Sequence, residues 1–210
     1  MLLGFNGSPK PDSNLRRIID MMLKESGKDY RIYDLAQMNI KPCVGCVKCA
    51  KNNRCVIEDD MFPLYDQIVE SEAIVVGAVV YFRKANGFAH NFLERLFPLR
   101  HKKPQTMGKP AVPVAVGGNE AEVVCDEISY HLSSYFNFEI LDKIFYNTMT
   151  PPCFICGFGT TCKYGGPARW MSPEEFENFN KVTPDMFQKF EKDNSIVKRI
   201  KEIGRRLGRI

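Results

Sequence analysis

Half of the eight cysteines sit on one short segment, spaced Cys43-x2-Cys46-x2-Cys49-x5-Cys55. Three thiolates two residues apart can wrap one face of an iron–sulfur cubane, and a fourth six positions on can close it. Gly45 permits a tight backbone there, and Lys48, Lys51 and Arg54 offset part of the negative charge of a four-thiolate cluster. No proline follows Cys55, unlike the ferredoxin arrangement. Zinc is the main rival. Structural zinc usually joins two C-x2-C pairs much further apart, and three closely spaced cysteines would crowd a tetrahedral ion. Free or disulfide-bonded thiols are the remaining alternative.

A second set, Cys153-x2-Cys156-x5-Cys162, lies in a Gly- and Pro-rich stretch and again has ligand character. Two readings stay open for it: a second metal or iron–sulfur site, or three unligated packing thiols. Cys125 falls in a helical pattern and is expected in the core, where a thiol behaves as a small hydrophobe. His90, His101 and His131 are scattered without a motif and read as surface or packing residues. Nothing has the form of a Ser-His-Asp or paired-carboxylate hydrolase.

The other chemistry-bearing segment is Gly7-Ser8-Pro9-Lys10-Pro11-Asp12-Ser13-Asn14, between an apolar run and a helical pattern. A helix N-terminus presents unpaired N–H groups and the positive end of its dipole, which suits a phosphate. Ser8, Ser13 and Asn14 add neutral donors and Lys10 a charge. The terminal phosphate of FMN fits such a loop, whereas neither the nucleoside-triphosphate P-loop nor GxGxxG is present. The same residues would also serve as an ordinary helix cap.

The elements that must position these loops alternate between strand and helix. Leu2–Asn6, Tyr30–Leu35, Ala73–Val80, Pro110–Val116 and Glu139–Phe145 read as five strands, the third apolar almost throughout, as in a parallel sheet covered on both faces. Between them, helices are expected over Asn14–Ser26, Asp60–Glu72, Asn86–Leu96 and Glu120–Phe136. This alternation predicts a flavodoxin-like, doubly wound five-stranded parallel α/β sheet of order 2-1-3-4-5, with right-handed crossovers. Residues 1–147 form the expected domain, with the first cysteine loop at 43–55 after strand 2. Residues 148–210 form a Cys/Gly/Pro-rich segment and C-terminal helices, packed on the same domain or on a partner subunit. Ser172-Pro173-Glu174-Glu175 has the form of a capping box, and the last helix is opened either by Thr183-Pro184 or near Asp193. It places Ile196, Ile200, Ile203 and Leu207 on one face.

The formal net charge of +4 is too mild to argue for nucleic acid, and no apolar run is long enough to cross a bilayer. The first residues do not have the form of a signal peptide, so a reducing, cytoplasmic setting is expected, where clustered cysteines bind metal or do redox chemistry more often than they form disulfides.

The GSPK…SN loop and Val75–Phe82 (VVGAVVYF) resemble the NADPH-dependent FMN reductase superfamily, as do Asn86-Gly87…Asn91-Phe92-Leu93-Glu94-Arg95 and Gly117-Gly118-Asn119. The resemblance covers about Leu2–Phe145. It implies that the first loop holds the FMN phosphate and that the loops ending the third and fourth strands hold the ring. The implied FMN-binding residues are Ser8, Lys10, Ser13, Asn14, Val80, Tyr81, Phe82, Gly117 and Gly118, with Tyr81 or Phe82 flanking the ring. The sequence departs from the family pattern at Ala78 and Val79, at Leu15 and at the basic pair Arg83-Lys84.

The insertion from Ile40 through Met61 is similar to the iron–sulfur flavoprotein branch of that superfamily. The branch holds a 4Fe–4S cluster on four cysteines, here Cys43, Cys46, Cys49 and Cys55, and forms oligomers in which one subunit's cluster approaches another's flavin. The expected activity is electron transfer between a 4Fe–4S cluster, FMN and partners such as NAD(P)H, ferredoxin or quinone, in a homodimer or homotetramer, with no side chain needed as acid or base. Two other readings remain: an NAD(P)H-dependent FMN or quinone reductase without a working cluster, and a zinc-stabilised, non-enzymatic interaction module.

Overall fold

A computed structural model describes residues 1–210. The apolar strand β1 (Leu2–Asn6) is buried along its whole length. It pairs in parallel with β2 (Tyr30–Asp34) on one side and β3 (Ala73–Tyr81) on the other. β3 in turn pairs in parallel with β5 (Pro110–Gly117). Side chains along each strand alternate between two cores. Leu3, Phe5, Ile74, Val76, Ala111 and Ala115 face one, and Leu2, Val75, Val112 and Val114 face the other. The near-continuous apolar strands follow from this cover on both faces.

The order matches the expected 2-1-3-4-5 path, but the sheet has seven strands, not five. One addition is β4 (Lys84–Ala85), antiparallel to the end of β3. Phe82 and Arg83 both take positive φ, 52° and 64°, which is the conformation a two-residue hairpin turn requires. The other is the expected fifth strand, which divides into β6 (Glu139–Ile140) and β7 (Ile144–Asn147), both parallel to β5. The break falls at Asp142, whose carboxylate accepts from the Lys143 N–H at 2.8 Å and pairs with Arg199 and Arg206.

Between the strands lie α1 (Asn14–Glu25), α2 (Phe62–Glu70), α3 (Gly87–Arg95) and α4 (Ala121–Tyr130). Ser13 caps α1 by accepting from the Arg16 N–H at 3.1 Å. α4 ends before the expected Phe136, because His131–Tyr135 widens into a π-type turn. Beyond β7 come two short helices, α5 (Gly166–Trp170) and α6 (Pro173–Glu177), and the last helix α7 (Asn194–Leu207). The Ser172–Glu175 capping box is reciprocal. Thr183-Pro184 opens only a single 3-10 turn, and α7 is capped instead by Asp193, which accepts from the Ser195 and Ile196 N–H groups.

α7 lies on α1 in the second core, burying Ile200, Ile203 and Leu207. The helices touch closely at Gly204, where an added Cβ would stand 2.5 Å from the Met22 carbonyl oxygen. Arg205 pairs with Glu25 at 2.9 Å across the same seam. α7 therefore packs on α1 of its own chain. No helix is long and apolar enough to cross a membrane.

Candidate functional site

The chain leaves β1 to build β2 on one side and β3 on the other, so a crevice opens beyond the C-terminal ends of these strands. A cleft of about 1050 Å³ occupies it. Ser8, Lys10, Ser13 and Asn14 line one end, Val80 and Tyr81 come from β3, and Gly117 and Gly118 from the end of β5. The cleft thus gathers every expected FMN-binding residue except Phe82. That side chain is 99% exposed at the tip of the β3–β4 turn and does not line it.

The phosphate loop is held by residues whose roles were not evident in the sequence. Asn86 donates to the Gly7 carbonyl at 2.7 Å and accepts from the Val79 N–H, joining the first loop to the β3 end. Asn6 accepts from the Ser8 N–H at 3.1 Å and donates to Asp34 at 2.8 Å. Ser8 Oγ accepts from the Lys10 N–H, which curls the loop over the start of α1. Asn14 and Leu15, whose N–H groups open α1 and have no intrahelical acceptor, line this end of the cleft. Asn14 is partly committed elsewhere, since its side-chain amide donates to the Gln188 carbonyl at 2.9 Å.

The opposite wall was not legible at all. Thr148 through Pro152, Phe154, Ile155, Trp170, Val182 through Pro184 and Phe187 through Lys189 line the cleft from the C-terminal segment. The Thr148 and Met149 N–H groups donate to the Gly117 and Gly118 carbonyls, and Gln188 N–H donates to Thr150 Oγ1. Arg17 on α1 ties the segment to the first loop, pairing with Glu191 at 2.6 Å and with Asp12 at 2.9 Å. A helix N-terminus with Lys10 at one end and the valines 79, 80 and 116 further in fit a flavin mononucleotide, which is anionic at one end and flat and apolar at the other.

The first cysteine set surrounds a separate, small and largely apolar pocket lined by Cys43, Cys46, Cys49 and Cys55 together with Glu94, Arg95, Phe97 and Pro98. Gly45 and Val47 take positive φ as the backbone wraps, before a 3-10 turn over Lys48–Lys51. Burial, and then the nearby Cys55, Cys46 and Cys43, push the Cys49 thiol up from its ordinary value. No three His, Cys, Asp or Glu side chains are gathered tightly enough for a single ion. The four cysteines share one cavity, but at about 20 Å³ it has room for about a single water, so a wider group such as a cubane would require the exposed Cys43 and Cys46 to open outward.

The base of this loop is fastened to α3 by a buried ion pair. Arg95 reaches Asp59 through both Nη atoms, at 2.6 and 3.1 Å, with both side chains almost wholly out of solvent. Its guanidinium also donates to the Lys41 carbonyl at 2.5 Å and lies 3.7 Å from Cys55 Sγ. Burial tends to raise the Asp59 pKa, but hydrogen bonds from Arg95 and from the Lys41 and Met61 N–H groups outweigh it and hold the carboxyl below its usual range. Asn91 donates to the Ile40 carbonyl and Asn53 to that of Pro98, closing the frame. The segment Asn91–Arg95 stood out in the sequence, but nothing there paired Arg95 with Asp59.

The remaining cysteines separate clearly. Cys125 is in the core, donating to the Pro113 and Ile144 carbonyls, and burial pushes its thiol up to about 12. Cys153, Cys156 and Cys162 share a tight loop behind the cleft wall. His90 and His131 stack edge to face and His101 packs on Phe97 beside the cysteine pocket, but none of the three lines either site.

A flavin-sized cleft thus stands at the switch point of a flavodoxin-like parallel α/β sheet. The sequence profile of the NADPH-dependent FMN reductase family matches residues 1–146, and the chain belongs to that family. Its curated relatives are iron-sulfur flavoproteins. One from Methanocaldococcus jannaschii is 30% identical over 121 residues, 56% of this chain and 62% of that protein. One from Archaeoglobus fulgidus is 31% identical over 110 residues, 51% of this chain and 50% of its own. One from Methanosarcina thermophila is 29% identical over 121 residues, 56% and 63% of the two chains. The chain thus spans less than two thirds of the length of these relatives. Among solved structures, RosB superposes with a TM-score of 0.60 at 13% identity, over 99% of this chain and 78% of its own. A flavone reductase does so with a TM-score of 0.58 at 15% identity, over 99% and 62%. These two likenesses concern the fold alone.

Proposed function

We propose that this protein is an FMN-dependent electron carrier that holds a 4Fe–4S cluster on Cys43, Cys46, Cys49 and Cys55. The observation that carries the reading is the arrangement of those four cysteines around one pocket, fastened by Arg95 to a helix whose first residue adjoins the flavin loop. The names of the iron-sulfur flavoproteins it resembles support the same reading.

When bound, FMN exchanges electrons singly or in pairs and a four-iron cluster exchanges them one at a time, so together they join two-electron to one-electron partners. The chain's own residues bind and position. The start of α1 and Lys10 hold the phosphate, Val79, Val80 and Val116 keep water from the ring, and Tyr81 covers its outer edge. At the cysteine pocket, the Arg95 guanidinium lies 3.7 Å from Cys55 Sγ and would offset part of the charge of a cluster held there. No side chain acts as acid or base.

The partners we propose are NAD(P)H or a ferredoxin as donor and a quinone or another protein as acceptor. The setting is cytoplasmic and the assembly a homodimer or homotetramer, with the exposed Phe82 and Tyr81 at the cleft mouth suited to a second copy. Strictly anaerobic purification followed by flavin, iron, sulfide and zinc assays tests the proposal. The expected result is one FMN and one four-iron cluster per chain, and loss of iron and sulfide in Cys46→Ala. Flavin without iron or sulfide would select a plain reductase, and zinc without flavin would select an interaction module. Either would sink the proposal.

A further inference from the structure

We propose that the cleft wall built by residues after 147 is a second ligand subsite, which takes a flat, uncharged, carbonyl-bearing ring system of the naphthoquinone class. This subsite rests on the reading of the cleft as an FMN site, and it selects, among the partners of the electron carrier, the one that enters this cleft.

FMN does not fill the space. The cleft volume of about 1050 Å³ exceeds the range of about 300–1,000 Å³ over which pockets enclose one drug-sized ligand. With its phosphate at the start of α1 and its ring on Val79, Val80 and Val116, FMN would leave the facing wall uncovered.

That wall lies outside the stretch matched by the family profile, which ends at residue 146. Trp170 is the only tryptophan of the chain, and it lines the cleft while 54% exposed. Its ring rests against the backbone of α5, since a Cβ at Gly166 would stand 2.5 Å from Cζ3 and 2.6 Å from Cη2. The indole is thus seated on one side and open elsewhere, as a platform for a second ring requires. Met149 shares the wall and is 64% exposed. Its φ of 48° is left-handed, and it is held there as the Met149 N–H donates to the Gly118 carbonyl at 3.0 Å and the Thr148 N–H to that of Gly117 at 2.7 Å. Side-chain-bearing residues kept in this costly conformation cluster at ligand clamps. The thioether it presents adapts well to aromatic edges.

The charges of the cleft set the class of ligand. Its cations are Lys10, Arg17 and Lys189. Arg17 is paired with Asp12 and Glu191, and Lys10 belongs to the phosphate loop. Lys189 follows Gln188, whose carbonyl accepts from Asn14 at the start of α1, so it too stands at the phosphate end. No cation is left for the phosphates of a dinucleotide, which would have to stay outside. Asn119, next to the Gly118 that Met149 is bonded to, lines the cleft and carries the amide donors that orient a ligand carbonyl.

The test uses the full chain loaded with FMN and kept oxidised, with menadione as the probe, so that nothing turns over. Menadione is expected to quench the emission of the single tryptophan saturably, a readout that needs no variant. In equilibrium dialysis, Trp170→Ala should raise the menadione Kd about tenfold, and Gly166→Ala, which keeps the indole but pushes it off its seat, should do the same. The FMN Kd, read by flavin fluorescence, should rise far less in both. A naphthoquinone sulfonate should bind more weakly than menadione, and NADP+ should leave bound menadione in place. Equal menadione affinity in the three proteins, an FMN Kd that rises as much as the menadione Kd, or displacement of menadione by NADP+ would overturn the subsite. Iron is not needed for any of these measurements. A chain with FMN and no cluster would sink the electron-carrier reading and leave the subsite standing, whereas uptake of FMN without menadione would sink the subsite alone. Failure to take up FMN would sink both.

Discussion

Arg95 and Asp59 carry opposite charges into a place where neither touches water, and each is affordable there only because of the other. Arg95→Met should therefore destabilise the cluster-free protein by about 3–5 kcal/mol, the range for removing one partner of a buried pair. Asp59→Leu in the same background should recover much of that loss, because it removes the charge left alone. Urea unfolding of the two single variants and the double variant measures the coupling, and additive losses would refute it. The pair also has a pH signature. Asp59 titrates below its ordinary value in the folded chain, so its contribution is complete above about pH 4 and is lost as the pH falls below that. Stability measured between pH 6 and 3 should fall along that slope, and Asp59→Asn should start lower and fall less. At the same scale, Cys125 is predicted to resist alkylation at pH 8 in the native protein, since its thiol is held near 12 and has no path to solvent. Labelling of Cys125 before global unfolding would contradict its placement in the core.

Among the elements, the strands β1, β3 and β5 were the most legible, because both of their faces are buried and nothing interrupts the apolar run. α7 was legible as a face of isoleucines and leucine, but its partner was not, because contacts between α1 and α7 join residues some 180 positions apart. Periodicity reports which side of a helix is buried and is silent about what buries it. Gly204→Val tests the pairing. Its side chain would press into the Met22 carbonyl, and overpacking of this kind typically costs about 1–3 kcal/mol. Unchanged stability by calorimetry would mean that α7 does not lie on α1 as described. The two strand corrections have the same origin. The hairpin at Phe82-Arg83 uses positive φ in residues that seldom adopt it, and the interruption falls at Asp142, which pairs with arginines of α7. Neither signal is local.

At the level of the whole molecule, the family domain supplies the phosphate loop and the floor of the cleft, and residues after 147 supply the facing wall. The phosphate loop could be read in advance because it is contiguous and because capping and anion binding use the same residue types. The facing wall could not, because Pro152, Trp170 and Phe187 have no common spacing and meet only through the fold. Ile155→Asp with Phe187→Asp should accordingly weaken FMN binding, measured by flavin fluorescence, while leaving the melting temperature of the flavin-free chain nearly unchanged. A large loss of stability with full FMN affinity would mean that the wall serves the fold and not the ligand. α3 has a different consequence. It starts beside the flavin loop and ends in the frame of the cysteine pocket, a span of about 14 Å at 1.5 Å per residue. It therefore acts as a ruler and also as a phase lock. One inserted residue would lengthen it by only about 1.5 Å but swing Arg95 about 100° around the axis, away from Asp59. Evolution can thus retune the spacing of the two sites only in whole helical turns, about 5.4 Å at a time, and the length of this short helix should be far more constrained than its exposed residues.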